Sequence, residues 1–281
     1  MTRGRWIVVI VVAAVLLVAA GVTAVVLASP SHSSALALPG SMAATGDSIS
    51  QAFDLDANAL LQSTPADSWS TGADPAVDSQ YDRIVKAHRA LAGHAFNDSV
   101  VGAKMAALDS QLQMASAQGV AYATVLMGAN DLCAKSLAAM TPAVTFGAEF
   151  QQALTGFFAT DPTARVFVAS IPNLLQLWNT LAVNPLARIV WSAARLCPTM
   201  LASTDTPVVR ALVVDREAAD NAALAAVCRR FARCRFDGGA VFRQQFSVAD
   251  ISTVDYFHPS LQGQQVLASV TWAAGYWPTT R

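Results

Sequence analysis

Charge is scarce in this chain. Only 13% of its residues are Asp, Glu, Lys or Arg, and they nearly cancel, leaving a formal net charge of −1. No basic patch and no acidic run stands out, which excludes the electrostatic footprint of a nucleic-acid-binding protein. Metal-ligand patterns are missing as well. There is no Cys-x-x-Cys and no His-Glu-x-x-His, and His32, His88 and His94 are scattered, so no metal site is expected. No internal repeat occurs, which argues against an array of repeated units. The length, 281 residues, suits one large α/β domain plus a tail.

Apolar residues are abundant, at 54%, and part of that excess sits at the N-terminus. An uncharged run extends from Trp6 to Ala28. About 20 such residues are enough to cross a bilayer as a helix. Arg3 and Arg5 precede the run and no Lys or Arg follows closely. The positive-inside rule then places the N-terminus in the cytoplasm and the rest outside. A cleaved signal peptide has a shorter apolar core of roughly 7–15 residues. Length therefore favours an uncleaved membrane anchor over residues 1–28, while small residues at Val26-Leu27-Ala28 and Ala35-Leu36-Ala37 leave a cleaved, secreted form as the alternative. Residues 29–38 are rich in Ser, Pro and Ala without periodicity and read as a tether. Residues 39–281 are then the folded domain, expected to be monomeric.

The chain has four cysteines, Cys133, Cys197, Cys228 and Cys234. An even count in an exported domain suggests two disulfides. Three connectivities are possible. Cys228 and Cys234 flank a short loop and are the easiest local pair, which leaves Cys133 with Cys197. Free buried thiols are the alternative.

Beyond the tether, short apolar runs alternate with helical patterns. Strands are expected at Ser41 to Thr45, ending at Gly46, at Val120 to Met127, ending at Gly128, and at Ala164 to Ile171, ending at Pro172. Helical spacing marks Val101 to Met114, Phe146 to Phe158 and Val208 to Phe231. Ser260 is a candidate N-cap for a last helix from Leu261 to Ala273. This alternation predicts an α/β fold with a parallel sheet covered on both faces. Ligands of such sheets bind at the carboxyl ends of the strands.

Four short motifs fall at those strand ends or in late loops. They are Gly46-Asp47-Ser48, Asn97-Asp98-Ser99-Val100-Val101-Gly102-Ala103, Gly128-Ala129-Asn130-Asp131 and Asp255-Tyr256-Phe257-His258-Pro259. In this order they resemble the four blocks of the SGNH (GDSL-type) serine hydrolase superfamily of esterases and lipases. Ser99 stands where a small apolar residue is usual, and Ile49 where many members have leucine. The resemblance spans Gly46 to Gly263. It implies a flavodoxin-like, three-layer α/β/α sandwich and an acyl-transfer reaction that needs no cofactor.

Each block then has a role. Serine is a weak nucleophile that needs a base and a group to orient that base. The resemblance makes Ser48 the nucleophile, His258 the base and Asp255 its orienter. The Ser48 N–H, the Gly102 N–H and the Asn130 amide are the expected oxyanion hole. Ser48 should begin a helix whose N-terminus favours negative charge, and Gly102 should let substrate approach the backbone. Taken singly, each residue has a plainer reading. Ser48 would be a helix cap, Gly102 and Asn130 turn residues, and Asp255 with His258 a capping pair. Asp47 and Asp131 are expected to be structural, accepting loop N–H groups. Asn97-Asp98-Ser99 fits a glycosylation pattern, but a glycan there would obstruct the site.

The apolar stretch from Asn173 to Leu201, with Leu186, Val190 and Ala194 at helical spacing, suggests a helical cap tied back by Cys133 and Cys197. The alternative is that these residues simply pack on the sheet. A lipid or small-molecule ester is the expected substrate. A carbohydrate O-acetyl ester, or no reaction at all in an envelope-binding protein, are the alternatives.

Overall fold

The structure is a computed structural model that describes residues 36–278. The chain divides into two units, Met1–Ala37 and Leu38–Arg281, and the elements below belong to the second. The apolar run Trp6–Ala28 and most of the tether lie outside the described residues. Among the described residues no helix is long and apolar enough to cross a membrane.

In chain order the strands are β1 (Met42–Gly46), β2 (Ala95–Asn97), β3 (Tyr122–Leu126), β4 (Arg165–Val168) and β5 (Cys234–Phe236). The helices are α1 (Gln80–Ala87), α2 (Leu108–Ala117), α3 (Ala129–Leu132), α4 (Ala143–Thr160), α5 (Leu174–Leu181), α6 (Pro185–Ala194), α7 (Pro198–Leu201), α8 (Pro207–Cys228), α9 (Ala240–Arg243) and α10 (Leu261–Ala274). All strand pairs are parallel, and the order across the sheet is β2-β1-β3-β4-β5. β1 and β3 are buried throughout, as strands covered on both faces must be.

The period-2 alternation of strand side chains divides the apolar residues between two cores. Ala43, Ala123, Val125, Val166 and Val168 pack with Leu108 and Leu112 of α2, Phe146, Phe150 and Leu154 of α4, and Val213 and Leu224 of α8. Met42, Tyr122, Leu126 and Phe167 face the other way, onto Ile84 of α1, Leu267 and Trp272 of α10, and Trp69. Helices therefore cover both faces of the sheet, as the alternation predicts. The last helix starts at its expected cap, since Ser260 Oγ accepts the Gly263 N–H at 3.2 Å. The pattern read from Val101 is a turn at residues 101–102, an irregular pair at 103–104, a 3-10 turn at Met105–Ala107, and only then α2.

Long α8 carries polar groups inward to hold the loop after β4. Glu217 accepts the Leu174 N–H at 3.2 Å, and Asn221 accepts the Ile171 N–H at 2.9 Å. Burial pushes the Glu217 carboxyl up to about 8 from an ordinary 4.5, against the Leu174 bond and with help from the charge of Asp220. The folded state thus keeps a proton that the unfolded chain gives up. The stability this confers is complete below pH 4.5 and is lost as pH rises through about 8. Glu217→Gln keeps an acceptor for Leu174 and removes the charge. It should raise the melting temperature at pH 8.5 by about 5 °C and change it little at pH 4.5, read by thermal melts at both values.

Candidate active site

β1 ends where only glycine fits. Gly46 has φ +138°, and a Cβ there would lie 2.1 Å from the Leu126 carbonyl oxygen. The Gly46 N–H donates to Gln111 Oε1 at 2.7 Å, and Gln111 Nε2 donates back to the Gly46 carbonyl at 2.9 Å. Gln111 thereby clamps the strand end from α2. Asp47 follows, fully buried, with its carboxylate accepting the Ile49 N–H at 3.0 Å.

No helix begins at Ser48, contrary to the sequence expectation. The chain makes tight turns instead: the N–H groups of Ser50, Gln51 and Ala52 donate to the carbonyls of Asp47, Ser48 and Ile49. The run stops at Ala52, whose φ is +46°, and Phe53 bridges to Ser63. One tertiary contact and one local bond depart from the helical pattern. Gln264 Nε2 of α10 donates to the Ile49 carbonyl at 2.9 Å, and Phe53 N–H donates to the Ser48 carbonyl rather than to that of Ile49.

His258 reaches Ser48 from the other end of the domain. Its Nε2 lies 2.7 Å from Ser48 Oγ, and its Nδ1 lies 2.5 Å from Asp255 Oδ2. The other Asp255 oxygen accepts the N–H groups of Phe257 at 2.8 Å and His258 at 3.0 Å. One carboxylate thus folds its own loop and orients the ring, which is how a spacing of three suffices. Ser48, His258 and Asp255 are each about 5–6% exposed. The rings of Phe53 and Phe257 stand edge-on to the imidazole at 5.3 and 5.0 Å.

The loop after β2 lies along the end of β1, with Asp98 N–H donating to Ala44 and Val100 N–H to Gly46. Asn97 Nδ2 donates to the Ser50 carbonyl at 2.8 Å, and Gln51 Nε2 to the Ser99 carbonyl at 2.6 Å. The Asn97 amide is thus part of the site's frame, in keeping with the reading against a glycan. Gly102 has φ +76°, yet a Cβ there would meet nothing within 4 Å. Its backbone conformation, rather than crowding, is what asks for glycine. Asn130 in α3 donates from Nδ2 to the Ala103 carbonyl at 3.0 Å, next to Gly102, with a second amide proton to spare. The backbone N–H groups of Ser48 and Gly102 have no acceptor among the described residues.

Asp47 and Asp131 behave as framework. Asp131 accepts the Met105 N–H at 3.0 Å and is raised above the usual carboxylate range by burial. Burial likewise pushes Asp47 up to about 7, against the Ile49 bond and the charge of His258. A further carboxylate, Asp54, went unread in the sequence. Ligand atoms of Asp54, Asp255 and His258 lie within 4.8 Å of one another, a spacing a metal ion could use. Both nitrogens of His258 are, however, already engaged by Ser48 and Asp255.

The stretch from Asn173 to Leu201 forms α5, α6 and α7. Cys133 is bonded to Cys197 and Cys228 to Cys234. Thr199 Oγ donates to the Leu132 carbonyl at 2.7 Å, adding a second tie to the Asn130 helix. Trp191 Nε1 donates to the Tyr256 carbonyl at 3.0 Å, between Asp255 and His258. The helical face chosen from sequence is the wrong one. Leu186 is exposed and Val190 half-buried, while Ala187 and Trp191 enter the core with Leu174, Leu177 and Leu181. Much of this stretch therefore enters the core, its helices packing on one another and on α8. Beside α5, an apolar cavity of about 60 Å³ is lined by Leu174, Leu177, Ile49, Ala129 and Phe257. The last three are the chain neighbours of Ser48, Asn130 and His258.

A hydroxyl, an imidazole and a carboxylate bonded in line at the carboxyl ends of a parallel sheet have the geometry of a serine hydrolase site. Comparison with known proteins gives the family. Residues 44–266 match the GDSL-like Lipase/Acylhydrolase family, and the chain belongs to it. A candidate GDSL-like lipase from Parabacteroides merdae is similar in structure, with a TM-score of 0.50 at 15% identity, over 83% of this chain and 94% of that one. At that identity the likeness is one of fold. The psychrotrophic esterase EstA from Pseudoalteromonas sp., in a form inhibited by monoethylphosphonate, gives a TM-score of 0.45 at 11% identity, over 84% of this chain and 96% of that one. No curated protein matches the sequence.

Proposed function

We propose that this acylhydrolase cleaves carboxylic esters of short acyl groups through an acyl-enzyme on Ser48. The observation that carries this reading is the 2.7 Å bond from Ser48 Oγ to His258 Nε2, with Asp255 behind the ring. Ser48 Oγ attacks the ester carbonyl carbon while its proton passes to Nε2. The oxyanion is held by the Ser48 and Gly102 N–H groups and the Asn130 amide. Collapse breaks the bond to the leaving oxygen, which takes the proton from His258 and departs as the alcohol. Water then attacks the acyl carbon by the same route, giving its proton to His258, and the carboxylic acid leaves as Ser48 is regenerated. Asp255 keeps the proton of Nδ1 facing itself throughout and stabilises the imidazolium.

A 60 Å³ cavity lined by the chain neighbours Ile49, Ala129 and Phe257, and not by the reacting groups themselves, supports a short acyl chain. It has room for about four or five water-sized groups, which suits acetyl to butyryl better than a fatty chain. The same small cavity favours a second reading, a carbohydrate O-acetylesterase. A silent binding protein has no need of a base bonded to an otherwise unpartnered serine hydroxyl. We also propose that the domain works outside the cytoplasm, anchored by residues 1–28 or released from them.

A series of p-nitrophenyl esters from acetyl to palmitoyl tests the acyl reading on the full chain. kcat/KM should be highest between acetyl and butyryl and fall by about 10-fold or more by octanoyl, since each misfit methylene costs roughly 1–3 kcal/mol. A rate rising toward palmitoyl would sink the short-chain proposal and return the apolar helices to the role of a lipid cap.

A further inference from the structure

We propose that Asp54 is a second carboxylate serving His258, a positioning residue that favours the protonated imidazole on which acyl transfer depends. The proposal rests on the ester-hydrolase reading for its consequence, though not for its geometry.

Asp54 is 3% exposed, and a carboxylate oxygen of it lies within 4.8 Å of both a His258 ring nitrogen and an Asp255 oxygen. Its placement is built by the chain. The residue has φ +51°, a conformation that Asp tolerates better than most residues but that still carries a cost. Its side chain accepts the Leu61 N–H, and its own N–H donates to the Gln62 carbonyl at 3.0 Å. The preceding Phe53 both bridges to Ser63 and stands edge-on to the His258 ring. The carboxylate is therefore delivered to the imidazole by a fixed loop.

Two buried acids lie against this ring, and a third feels its charge. Asp255 comes from its own loop, Asp54 from the loop after the Ser48 turn, and Asp47 from the end of β1. Burying Asp54 and Asp255 so close together is unfavourable while the imidazole is neutral, because like charges repel and water is excluded. Burial accordingly raises the Asp54 carboxyl. The Leu61 bond opposes the rise, Asp255 adds to it, and a positive charge on His258 opposes it again. When His258 takes the serine proton, the repulsion becomes attraction. An interaction stronger in the transition state than in the ground state is the kind that accelerates a reaction. The plainer role, folding the loop through Leu61, would need an acceptor but no charge.

Asp54→Asn separates the two roles, because it keeps an acceptor for Leu61 and removes the charge. In the full chain, the acidic limb of kcat/KM against pH for p-nitrophenyl acetate should move down by about one unit. The plateau kcat should fall about 10-fold with KM within about twofold, and Asp54→Glu should restore the midpoint. A midpoint unchanged in Asp54→Asn overturns the proposal, even if the rate falls. The His258 imidazole titration, followed by NMR in both proteins, gives the same answer without any turnover. A pKa lower by about one unit in the variant supports the proposal, and an equal pKa overturns it. If no ester is hydrolysed by either protein, the catalytic reading fails while the NMR result still decides the role of Asp54.

Discussion

Ser48→Ala is expected to lower kcat/KM for every ester tested by about 10⁴-fold or more, with the fold unchanged. Removing the nucleophile of a serine hydrolase leaves only what the oxyanion donors and binding contribute, and base and orienter cannot substitute for it. The fold should survive because the turn around Ser48 does not depend on its hydroxyl. That hydroxyl bonds to His258 alone. The turn is held by Gln111 on Gly46, Asp47 on Ile49 and Gln264 on Ile49. The lost bond is worth about 1 kcal/mol, so the melting temperature should stay within about 4 °C of the parent. A variant that melts normally and retains more than about 1% of the parent rate would remove Ser48 from the chemistry. A serine-directed phosphonate offers a second reading of the same point, because it should label the parent and leave Ser48→Ala unlabelled.

What could be read in the chain follows from where its signals are local. β1, β3 and β4 are apolar runs cut off by Gly46, Gly128 and Pro172, and all three were legible. β2 and β5 are three residues each, partly exposed, and exist because β1 and β4 offer them edges to pair with. Nothing in Ala95–Asn97 or Cys234–Phe236 signals this alone. The motif residues were legible as a set. Ser48 and His258, 210 positions apart, meet within hydrogen-bond distance, and Asn130 reaches the turn that carries Gly102. Their surroundings were hidden. The expected helix after Ser48 fails because Gln264, 215 positions from Ile49, and the bridge from Phe53 to the nearby Ser63 redirect the chain. Gln111 left a faint signal, an amide on the face of α2 that also buries Leu108, Leu112 and Ala115. A polar residue on an apolar stripe asks for a partner, and here the partner is the backbone of Gly46. Asp54 left none, being one acid in a loop of mixed composition whose fold decides where its carboxylate points.

Asn130→Ala should lower kcat by about 10²–10³-fold while moving KM only a few-fold, the effect of removing one oxyanion donor. The amide has two protons and uses one, on the Ala103 carbonyl. In the proposed reaction the other meets a charge that exists only after Ser48 has attacked. Its loss should therefore fall on kcat, because ground-state binding does not use it. The bond to Ala103 is lost as well, at a cost of about 1 kcal/mol. The Gly102 turn keeps its other supports, Val100 on Gly46 and Gln51 on Ser99, so a modest fall in melting temperature is expected without unfolding. Asn130→Asp sharpens the test. It replaces a donor with a carboxylate facing both the Ala103 carbonyl and the developing oxyanion, so it should be slower still than the alanine variant at pH 8. Steady-state kinetics on p-nitrophenyl acetate, with both variants checked for folding, gives the answer. A loss expressed mainly in KM would mean that Asn130 binds the ester in its ground state, and the oxyanion hole would then have to be built from the backbone of Ser48 and Gly102 alone.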